Sequence, residues 1–534
     1  MSQPFGLSCK GGLNTNLNQL EMLKQPGFAT KLLNFEVDPD GGYRRINGFE
    51  PFGGASATRP ESGQVVHGIF PYALGIVVCV GTSVYYSEDG VTWIQVNYDT
   101  GHSGVTQANL SSQTELDRPS QGQAQFVLMR AAEGHTTNPY GSLTIATAGG
   151  DKLAHFHIDG TGASRLFVYE ELTTPVAGTF VEEHDKHLCV VDATNAPSTV
   201  YYSKTNSDRN FTGTGSGAVT FPDRIEGIKS FRNSLFIFCR NSIHRLDNIN
   251  DPATIQSVQI TRDIGCISGY SIQEIGGNLV FLSPDGVRTV AGTERIGDIE
   301  LGSISRNIQK IIANISNNIN LYIISSTVLK YKSQYRLFYS TATQNPEIAK
   351  GIIGTFTGES FEWSETEGIQ AFGLISEFDV NVSESSYHGD KNGYIYIHDS
   401  GNSFYNEGTS GTIRAIYQTP NLDFGDVGTR KTLKYVKTSF NPEGLCSSNL
   451  FIKYDYEDVN IVQPQAYSVS TLPPAIFGTA VFGTARFGGT TDPMIRTTVE
   501  GSGFVANFKY ESNATQDPFS INGIYIDYMP SGRR

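Results

Sequence analysis

The stretch from residue 228 to residue 290 contains the same pattern twice, and this repeat constrains the fold more than any other feature. Eight apolar positions of the first copy recur 44 residues later without a gap. The first copy has them at Ile228, Phe231, Leu235, Phe236, Ile237, Phe238, Ile243 and Leu246. The second copy has them at Ile272, Ile275, Leu279, Val280, Phe281, Leu282, Val287 and Val290. In both copies, polar turns flank the central apolar run.

A run of about four apolar residues between two turns is typical of a strand that is covered on both faces. Repeats of about 40 to 50 residues made of short strands and tight turns predict the blades of a β-propeller. Less regular copies of the pattern occur on both sides of the matched pair, from residue 64 to residue 403. We therefore predict an all-β protein with a β-propeller of about six to seven blades over residues 61–410.

The composition agrees with a globular all-β chain. Among 534 residues there are 57 Gly, 26 Tyr and 31 Phe, as expected for many turns and strands. Only 17% of the residues are charged, which excludes a disordered chain. No run of about 18 apolar residues is present, so we expect no stable membrane insertion. The first residues lack the basic and apolar regions of a signal peptide, and we expect folding in the cytoplasm.

The net charge and the cysteines disfavour several classes of function. A net charge of −14 argues against a surface that binds nucleic acid, because phosphate binding needs clustered Lys and Arg. It is compatible with a surface that DNA passes without binding. The six cysteines lie far apart and form no C-x-x-C pair, which disfavours a zinc site or a redox pair. Cys79, Cys189 and Cys239 stand inside apolar runs and are predicted to be core residues.

Residues 1–60 do not follow the repeat and are predicted to form an N-terminal arm with a hairpin. A strand candidate over residues 31–37 is followed by a Gly-rich turn and a returning segment. This region resembles the start of the tail nozzle proteins of short-tailed phages, also called tail tubular or tail stabilisation proteins. The resemblance rests on Gly11-Gly12, Leu32-Leu33-Asn34, Gly41-Gly42, and Arg44-Arg45 with Gly48. It gains weight because a propeller also follows this motif in that family.

Residues 411–534 are predicted to form a separate antiparallel β-sandwich. Within it, in the segment 476–489, the dipeptide Phe-Gly recurs every five residues, at Phe477, Phe482 and Phe487. This period fits neither a helix nor a strand. The three rings either cover the core of the sandwich or dock on a neighbouring copy, and in the second case they form a subunit interface. A similar Phe-Gly run occurs in phage tail proteins and strengthens the resemblance.

One helix is predicted to interrupt the repeats. Isoleucines at 304, 308, 311, 312 and 315 have helical spacing and predict an amphipathic helix near 303–316, with Ser303 as its N-cap. Its apolar stripe packs either on the rim of the propeller or against a partner or second subunit.

We identify no catalytic, cofactor-binding or metal-binding site in the sequence and predict that the chain is not an enzyme. There is no Gly-rich phosphate loop with Lys, no H-E-x-x-H motif and no G-x-S-x-G motif. His155 and His157 lie on one face of a predicted strand near Asp159. They could bind a metal, but surface or turn polarity is the favoured interpretation. His184 and His187 flank a predicted turn and are expected to be exposed.

The run from Ser87 to Trp93 resembles the Asp-box of sialidase-type propellers, one residue shorter than the usual spacing. In that family the box is a structural turn made by an Asp-Gly pair, with the Trp packed against it. Here it supports the fold. It also leaves open an alternative function, a glycan-binding or glycan-hydrolysing propeller.

The resemblance to tail nozzle proteins implies a structural virion protein of a short, podovirus-like viral tail, assembled in the host cytoplasm. It implies a hexamer whose propellers stand outside and whose sandwich domains contribute to a tube. The implied partners are further copies of the chain, a head-to-tail adaptor protein, and tail fibre or tail plug (needle) proteins. Phage DNA would pass through during genome ejection without specific binding, and an acidic lining would repel its phosphates.

Overall fold

A computed structural model of the chain describes residues 2–38, 41–100, 104–116, 118, 122–130, 140–149, 152–172, 177–251, 253–292, 299–358, 360–378, 383–471 and 494–533. Strand accounts for 52% of the structure and helix for 9%, so the predicted all-β class is confirmed.

Six separate sheets stand around one axis and form six blades, each beginning with its innermost strand. Blade 1 consists of Val66–Tyr72, Gly75–Val80, Ser83–Ser87 and Ile94–Gln95. Blade 2 consists of Ala124–Met129, Ser142–Thr147, Ala154–Asp159 and Leu166–Glu171, with Val105–Thr106 at its outer edge. Blade 3 consists of Phe180–His184, His187–Val191, Thr199–Tyr202 and Gly217–Thr220.

The remaining three separate sheets follow in the same order. Blade 4 consists of Ile225–Phe231, Ser234–Cys239, Ile243–Asp247 and Gln256–Thr261. Blade 5 consists of Gln273–Ile275, Asn278–Ser283, Gly286–Gly292 and Ile299–Ser303. Blade 6 consists of Gly373–Phe378, Glu384–Gly389 and Ile395–His398, continued outward by Phe49–Pro51 of the N-terminal arm, Phe404–Asn406 and Thr409–Gly411. The arm therefore supplies the fourth strand of the last blade.

Four strands of a nine-stranded sheet occupy the remaining position of the ring. They are Ile323–Leu329, Gln334–Ser340, Lys350–Phe356 and Phe361–Glu367, and we call them the shared blade. Its innermost strand contacts the innermost strands of blades 5 and 6, and that of blade 6 contacts that of blade 1. The ring is closed by the six separate blades and the shared blade, which confirms the predicted number of about six to seven.

Blades 4 and 5 are the two matched copies of the sequence repeat. Leu235 and Ile237 of blade 4 belong to a buried cluster shared with blade 3, whereas Phe236 and Phe238 belong to one shared with blade 5. Successive side chains of a strand point to opposite faces, and both faces of this strand are covered by neighbouring blades. This explains why its apolar run is unbroken.

Two sheets face each other beyond the propeller and form a β-sandwich as predicted, but this sandwich is not separate, because it includes strands of the N-terminal arm and shares one sheet with the propeller. Sheet A contains Phe35–Val37, Tyr43–Arg45, Phe519–Arg533, Thr429–Pro442 and Met494–Thr498, with Gln3–Ser8 and Ser502–Gly503 at its sides. Sheet B is the rest of the nine-stranded sheet, with Lys31–Leu33, Ile413–Gln418, Ala506–Ala514, Cys446–Tyr454 and Tyr467–Thr471. Val436 and Ile524 of sheet A and Tyr417 and Phe508 of sheet B lie in one buried cluster. Strands from both ends of the chain thus build this sandwich.

The interrupting helix begins later than predicted. The α-helix α2 spans Gln309–Asn317 after a 3-10 turn at Arg306–Ile308. Ser303 is not its N-cap, because Ser303 ends the last strand of blade 5 and pairs with Arg288. Ile312 and Ile315 are fully buried in a cluster that includes Val287 of blade 5. The apolar stripe therefore packs on the rim of the propeller.

The remaining elements are short. They are the helix α1 (Gln19–Met22), the strand pair Tyr98–Asp99 and Thr114–Glu115, and 3-10 turns at Gly54–Ser56, Gln107–Ser112, Gly162–Ser164, Gly269–Ser271, Lys330–Lys332, Pro346–Ile348 and Asp455–Glu457. In the part of the chain that the structure describes, no helix has both the length and the apolar character needed to cross a membrane.

Candidate functional site

The strand Lys31–Leu33 connects the propeller to the sandwich. Leu33 pairs in parallel with Glu365 of the shared blade and antiparallel with Ile416 of sheet B. One hydrogen-bonded sheet therefore continues from the propeller into the sandwich. We call the contact region of residues 11–13, 31–36 and 43–45 with the shared blade the joint.

Gly12 lies at the closest approach of the arm to the shared blade. Its φ is +72°, and a Cβ atom there would lie 2.7 Å from the backbone nitrogen of Trp363. The next residue, Leu13, donates its N–H to the Trp363 carbonyl at 2.7 Å. Any side chain at position 12 would therefore separate the two backbones, which explains why glycine is needed there.

The side chain of Asn34 links the N-terminal arm to two other segments by hydrogen bonds. Its φ is +52°, and its Nδ2 donates to the carbonyls of Glu367 and Arg414, both at 2.9 Å. Its Oδ1 accepts the N–H of Glu367 at 3.0 Å. Arg45 is also fully buried in the joint and donates to the carbonyls of Ala514, at 3.0 Å, and Gln516. These bonds satisfy polar groups that burial would otherwise leave unpaired.

Five charged residues form a buried network beside the joint, which we call the joint cluster: Glu36, Arg44, Lys332, Arg336 and Asp399. Glu36 contacts Arg44 at 2.7 Å, Lys332 at 2.9 Å and Arg336 at 3.0 Å. Asp399 contacts Lys332 at 2.6 Å and Arg336 at 3.0 Å. The side chains of Glu36, Arg336 and Asp399 are at most 3% exposed. The cluster ties the arm to the shared blade and to blade 6.

The cations of the joint cluster keep its two carboxyl groups ionised. Burial by itself would raise the pKa of both carboxylates. Lys332, Arg336 and Arg44 nevertheless hold the pKa of Glu36 below its ordinary value, and Arg336 and Lys332 hold the pKa of Asp399 well below its own. Both carboxylates are therefore charged at neutral pH. A substitution that removes one of the cations would leave a carboxylate buried with fewer partners, which is costly.

The central channel of the propeller is a concave region that lies apart from the joint. Its cavity of 240 Å³ is lined by the innermost strands of all the blades. Within it, the ammonium of Lys229 lies 2.9 Å from Glu182 of blade 3. The charges of Glu182, Glu377 and Glu274 raise the pKa of Lys229. The lysine thus stands among carboxylates of three blades, and it also lines an adjoining cavity of 470 Å³.

The Asp-box-like turn has the geometry that its sequence predicts. Asp89 Oδ1 accepts the N–H groups of Val91 at 2.9 Å and Thr92 at 2.8 Å, and these bonds lower the pKa of Asp89. The indole of Trp93 donates to the carbonyl of Thr58 at 3.1 Å. These contacts are structural and hold the outer part of blade 1 to the arm.

The histidines singled out in the sequence are buried, so the interpretation as surface or turn polarity is wrong for both pairs. His155 lies 2.8 Å from Asp208 and 2.8 Å from His157. Burial is possible because Asp208, in a loop 51 residues beyond His157, supplies a polar partner for the His155 ring inside the fold. In the described ranges of the chain, no group of three or more His, Cys, Asp or Glu residues could hold a metal ion.

His184 ends the strand Phe180–His184, and His187 begins the strand His187–Val191. The two histidines therefore lie beside the turn and not at its tip. Their side chains are 2% and 0% exposed, while the turn itself is made by Asp185 and Lys186. His187 binds the Ser203 carbonyl at 2.5 Å, which satisfies its ring inside blade 3. The prediction of exposure is therefore wrong for the histidines. By contrast, Cys79, Cys189 and Cys239 are core residues as predicted, and all six cysteines are buried.

The three phenylalanines predicted to form a subunit interface, Phe477, Phe482 and Phe487, lie outside the described residues. The segment that contains them follows Tyr467–Thr471, the last strand of sheet B, and precedes Met494–Thr498, the last strand of sheet A.

The net charge is distributed unevenly along the chain. Residues 411–534 contain 11 Lys or Arg and 11 Asp or Glu, so this part has no formal net charge. Residues 1–410 contain 28 Lys or Arg and 42 Asp or Glu, which accounts for the whole net charge of −14. Residues 1–60 contain 6 Lys or Arg and 5 Asp or Glu, so the acidity belongs to the propeller and not to the arm.

Sequence reasoning missed the joint cluster. Its members are separated by up to 363 residues, from Glu36 to Asp399, and no spacing rule connects them. One signal was present: Arg336 stands inside the otherwise apolar run from Tyr335 to Tyr339, and a buried arginine requires a carboxylate partner.

No protein-family model and no curated protein matches the chain. Among solved structures, the CNH domain of AfRom2 matches with 12% identity and a TM-score of 0.33, over 65% of this chain and 98% of that one. YCF48 from Cyanidioschyzon merolae matches with 10% identity and a TM-score of 0.38, over 66% and 99%. An exo-beta-1,3-galactanase from Phanerochaete chrysosporium, solved with galactose, matches with 8% identity and a TM-score of 0.26, over 90% and 100%. These TM-scores are too low to relate the chain to any of the three.

Proposed function

We propose that this chain is a structural virion protein, the nozzle or tube component of a short phage tail. The observation that carries the proposal is the role of the motif that resembles the tail nozzle proteins. Gly12, Leu33, Asn34, Arg44 and Arg45 of that motif all lie in the joint. They connect the propeller to the sandwich through hydrogen bonds and strand pairing, and such a connection suits a component that carries load during genome ejection.

The proposal assigns the path of the genome to a lumen between copies of the chain. The channel inside one propeller holds a cavity of 240 Å³ that adjoins a second cavity of 470 Å³, and Lys229 lines both. These volumes are of the size of small-ligand pockets, about 300–1,000 Å³, and a nucleic acid duplex is far larger. A hexameric ring, docked on the head-to-tail adaptor and closed by fibres or a plug, would supply a lumen of sufficient width.

The charge distribution refines how DNA would pass without specific binding. If the sandwich domains contribute to the tube, their part of the chain has equal numbers of positive and negative side chains. Such a wall offers no excess of cations to hold phosphates. In this arrangement, the acidic propellers on the outside of the ring repel DNA, and the lining of the tube does not have to be acidic.

We further propose that Phe477, Phe482 and Phe487 form contacts between copies in this ring. Changing all three to alanine should lower the fraction of hexamer measured by native mass spectrometry of the full chain. Phe378→Ala is the matched control, because this ring is 50% exposed on blade 6 and should contribute nothing to assembly. Equal hexamer fractions for the triple variant and the wild type would refute this interface.

The test of the function is the composition of purified phage particles. Quantitative mass spectrometry of washed particles should find six copies of this chain per particle, against the much larger number of coat subunits. A chain that is abundant in the lysate but absent from the particles would refute the proposal. A copy number in the hundreds would refute a tail position.

Glycan hydrolysis is a second candidate, and one observation favours it. Glu182, Glu274 and Glu377 surround Lys229 at the propeller channel, and glycosidases act through pairs of carboxylates. A panel of aryl glycosides tests this reading with the wild type and Glu182→Gln. The structural proposal expects no turnover by either protein, whereas turnover that the substitution abolishes would establish the hydrolase.

A further inference from the structure

A surface loop of the sandwich presents apolar side chains to water. In residues 455–463, which we call the valine loop, Val459 is 96% exposed, Val462 is 95% exposed and Tyr456 is 54% exposed. A single exposed apolar residue is ordinary, but a group of them on one loop marks a site of interaction.

The valine loop is held in a strained shape. Asp455, Tyr456 and Glu457 have φ angles of 47°, 62° and 62°, the left-handed region that side chains disfavour. The loop is closed at its base by the amide of Gln463, which accepts the N–H of Tyr454 at 2.8 Å and donates to its carbonyl at 3.2 Å. Strain of this kind persists where the surrounding structure enforces it and clusters at functional segments.

An apolar groove lies at the same end of the sandwich, beside the N-terminal arm. This arm groove has a volume of 280 Å³, and its lining combines the apolar Leu17, Met22 and Pro420 with five uncharged polar residues. Its lining contains no charged residue. Leu20 of helix α1, next to it in the chain, is 73% exposed. The groove therefore offers three apolar side chains to the valines of the loop, and uncharged polar groups around them.

The charges beside the two features are complementary. The valine loop carries the exposed acidic residues Glu457 and Asp458. The arm groove is flanked in sequence by the exposed Lys24 and Lys31, with Glu21 as the acidic residue on that side. Opposite net charges around an apolar contact favour the correct pairing of two surfaces.

We propose that the valine loop of one copy docks in the arm groove of a second copy. Within one chain, the groove adjoins Lys31–Leu33 and Ile413–Gln418, whereas the loop follows Cys446–Tyr454, and Ala506–Ala514 runs between them. The loop leaves its valines in water and does not fill its own groove. A patch and its complement at different places on one chain join copies either reciprocally or in a ring. This inference takes one element from the proposed function, namely that copies of the chain assemble with each other.

Cysteine cross-linking of the full chain tests the contact. All six natural cysteines are buried, so a bismaleimide reagent should react only with introduced ones. The variant with Val459→Cys and Leu20→Cys should give covalent dimers or longer ladders, increasing with protein concentration. The control pairs Val459→Cys with Leu74→Cys, because Leu74 is 60% exposed in a turn of blade 1, and it should give none. No covalent dimer from the first variant, or equal yields from both, would overturn the inference.

A charge reversal checks the orientation. Glu457→Lys in the cross-linking variant should lower the yield of dimer several-fold, and adding Lys24→Glu should restore it. A yield unchanged by both substitutions would contradict the pairing. In particles, a cross-link from position 459 to a different virion protein, without links between copies, would also overturn it. Cross-linked copies of a chain that is absent from particles would refute the nozzle function and leave this contact standing.

Discussion

Removing the guanidinium of Arg336 should loosen the connection between the propeller and the sandwich. Arg336 is 1% exposed and lies 3.0 Å from both Glu36 and Asp399. Arg336→Met keeps most of the side-chain volume but leaves two buried carboxylates that share the single ammonium of Lys332 at the centre of the cluster. Breaking a buried ion pair from one side costs about 3–5 kcal/mol. We expect the lower end of this range, because Lys332 remains within 2.9 Å of both carboxylates.

Urea denaturation followed by tryptophan fluorescence measures this effect. The chain has two tryptophans, and Trp363 is buried in the shared blade next to the joint. The matched control is Lys437→Met. The side chain of Lys437 is 40% exposed, and its ammonium lies 3.1 Å from Asp527. Surface pairs contribute about 0–1 kcal/mol, so this control should unfold near the wild-type midpoint. Unfolding free energies for the two variants within about 1 kcal/mol of each other would refute the role of the joint cluster.

Three further predictions concern the joint and the buried pair of His155 and Asp208. Glu36 and Asp399 have lowered pKa values in the folded chain. The stability that they contribute is therefore complete above the unfolded pKa of about 4 and is lost as the pH falls below it. In urea titrations, the wild type should lose more stability than Arg336→Met between about pH 5 and pH 3. Gly12→Ala should cost more than about 2 kcal/mol in the same assay, against about 1 kcal/mol for Gly54→Ala, which has a positive φ but open space around it. Asp208→Asn should lower stability by about 3 kcal/mol, whereas Asp159→Asn, with its side chain 48% exposed, should change it by less than about 1 kcal/mol.

Local patterns were enough to predict much of the fold. The 44-residue repeat predicted the central strands of blades 4 and 5, because strands buried on both faces need unbroken apolar runs. Pairings between distant segments could not be predicted this way. Phe49–Pro51 completes blade 6, and Lys31–Leu33 links two sheets, yet both are runs of three residues with no distinctive pattern. Their positions depend on partners more than 300 residues away.

The buried polar groups show the same limit. His155 and His187 have ordinary surface-compatible sequences around them, and their burial depends on Asp208 and Ser203, which only the folded chain brings near. The shift of the helix start from Ser303 to Gln309 has a related cause. The preceding residues pair with blade 5, and this tertiary pairing overrides the local N-cap signal.

The most direct test of the central claim is immunogold labelling of purified phage particles with an antibody against this chain. The proposed function predicts gold at a single vertex, on the short tail. Unlabelled particles from a lysate in which the chain is abundant would contradict it.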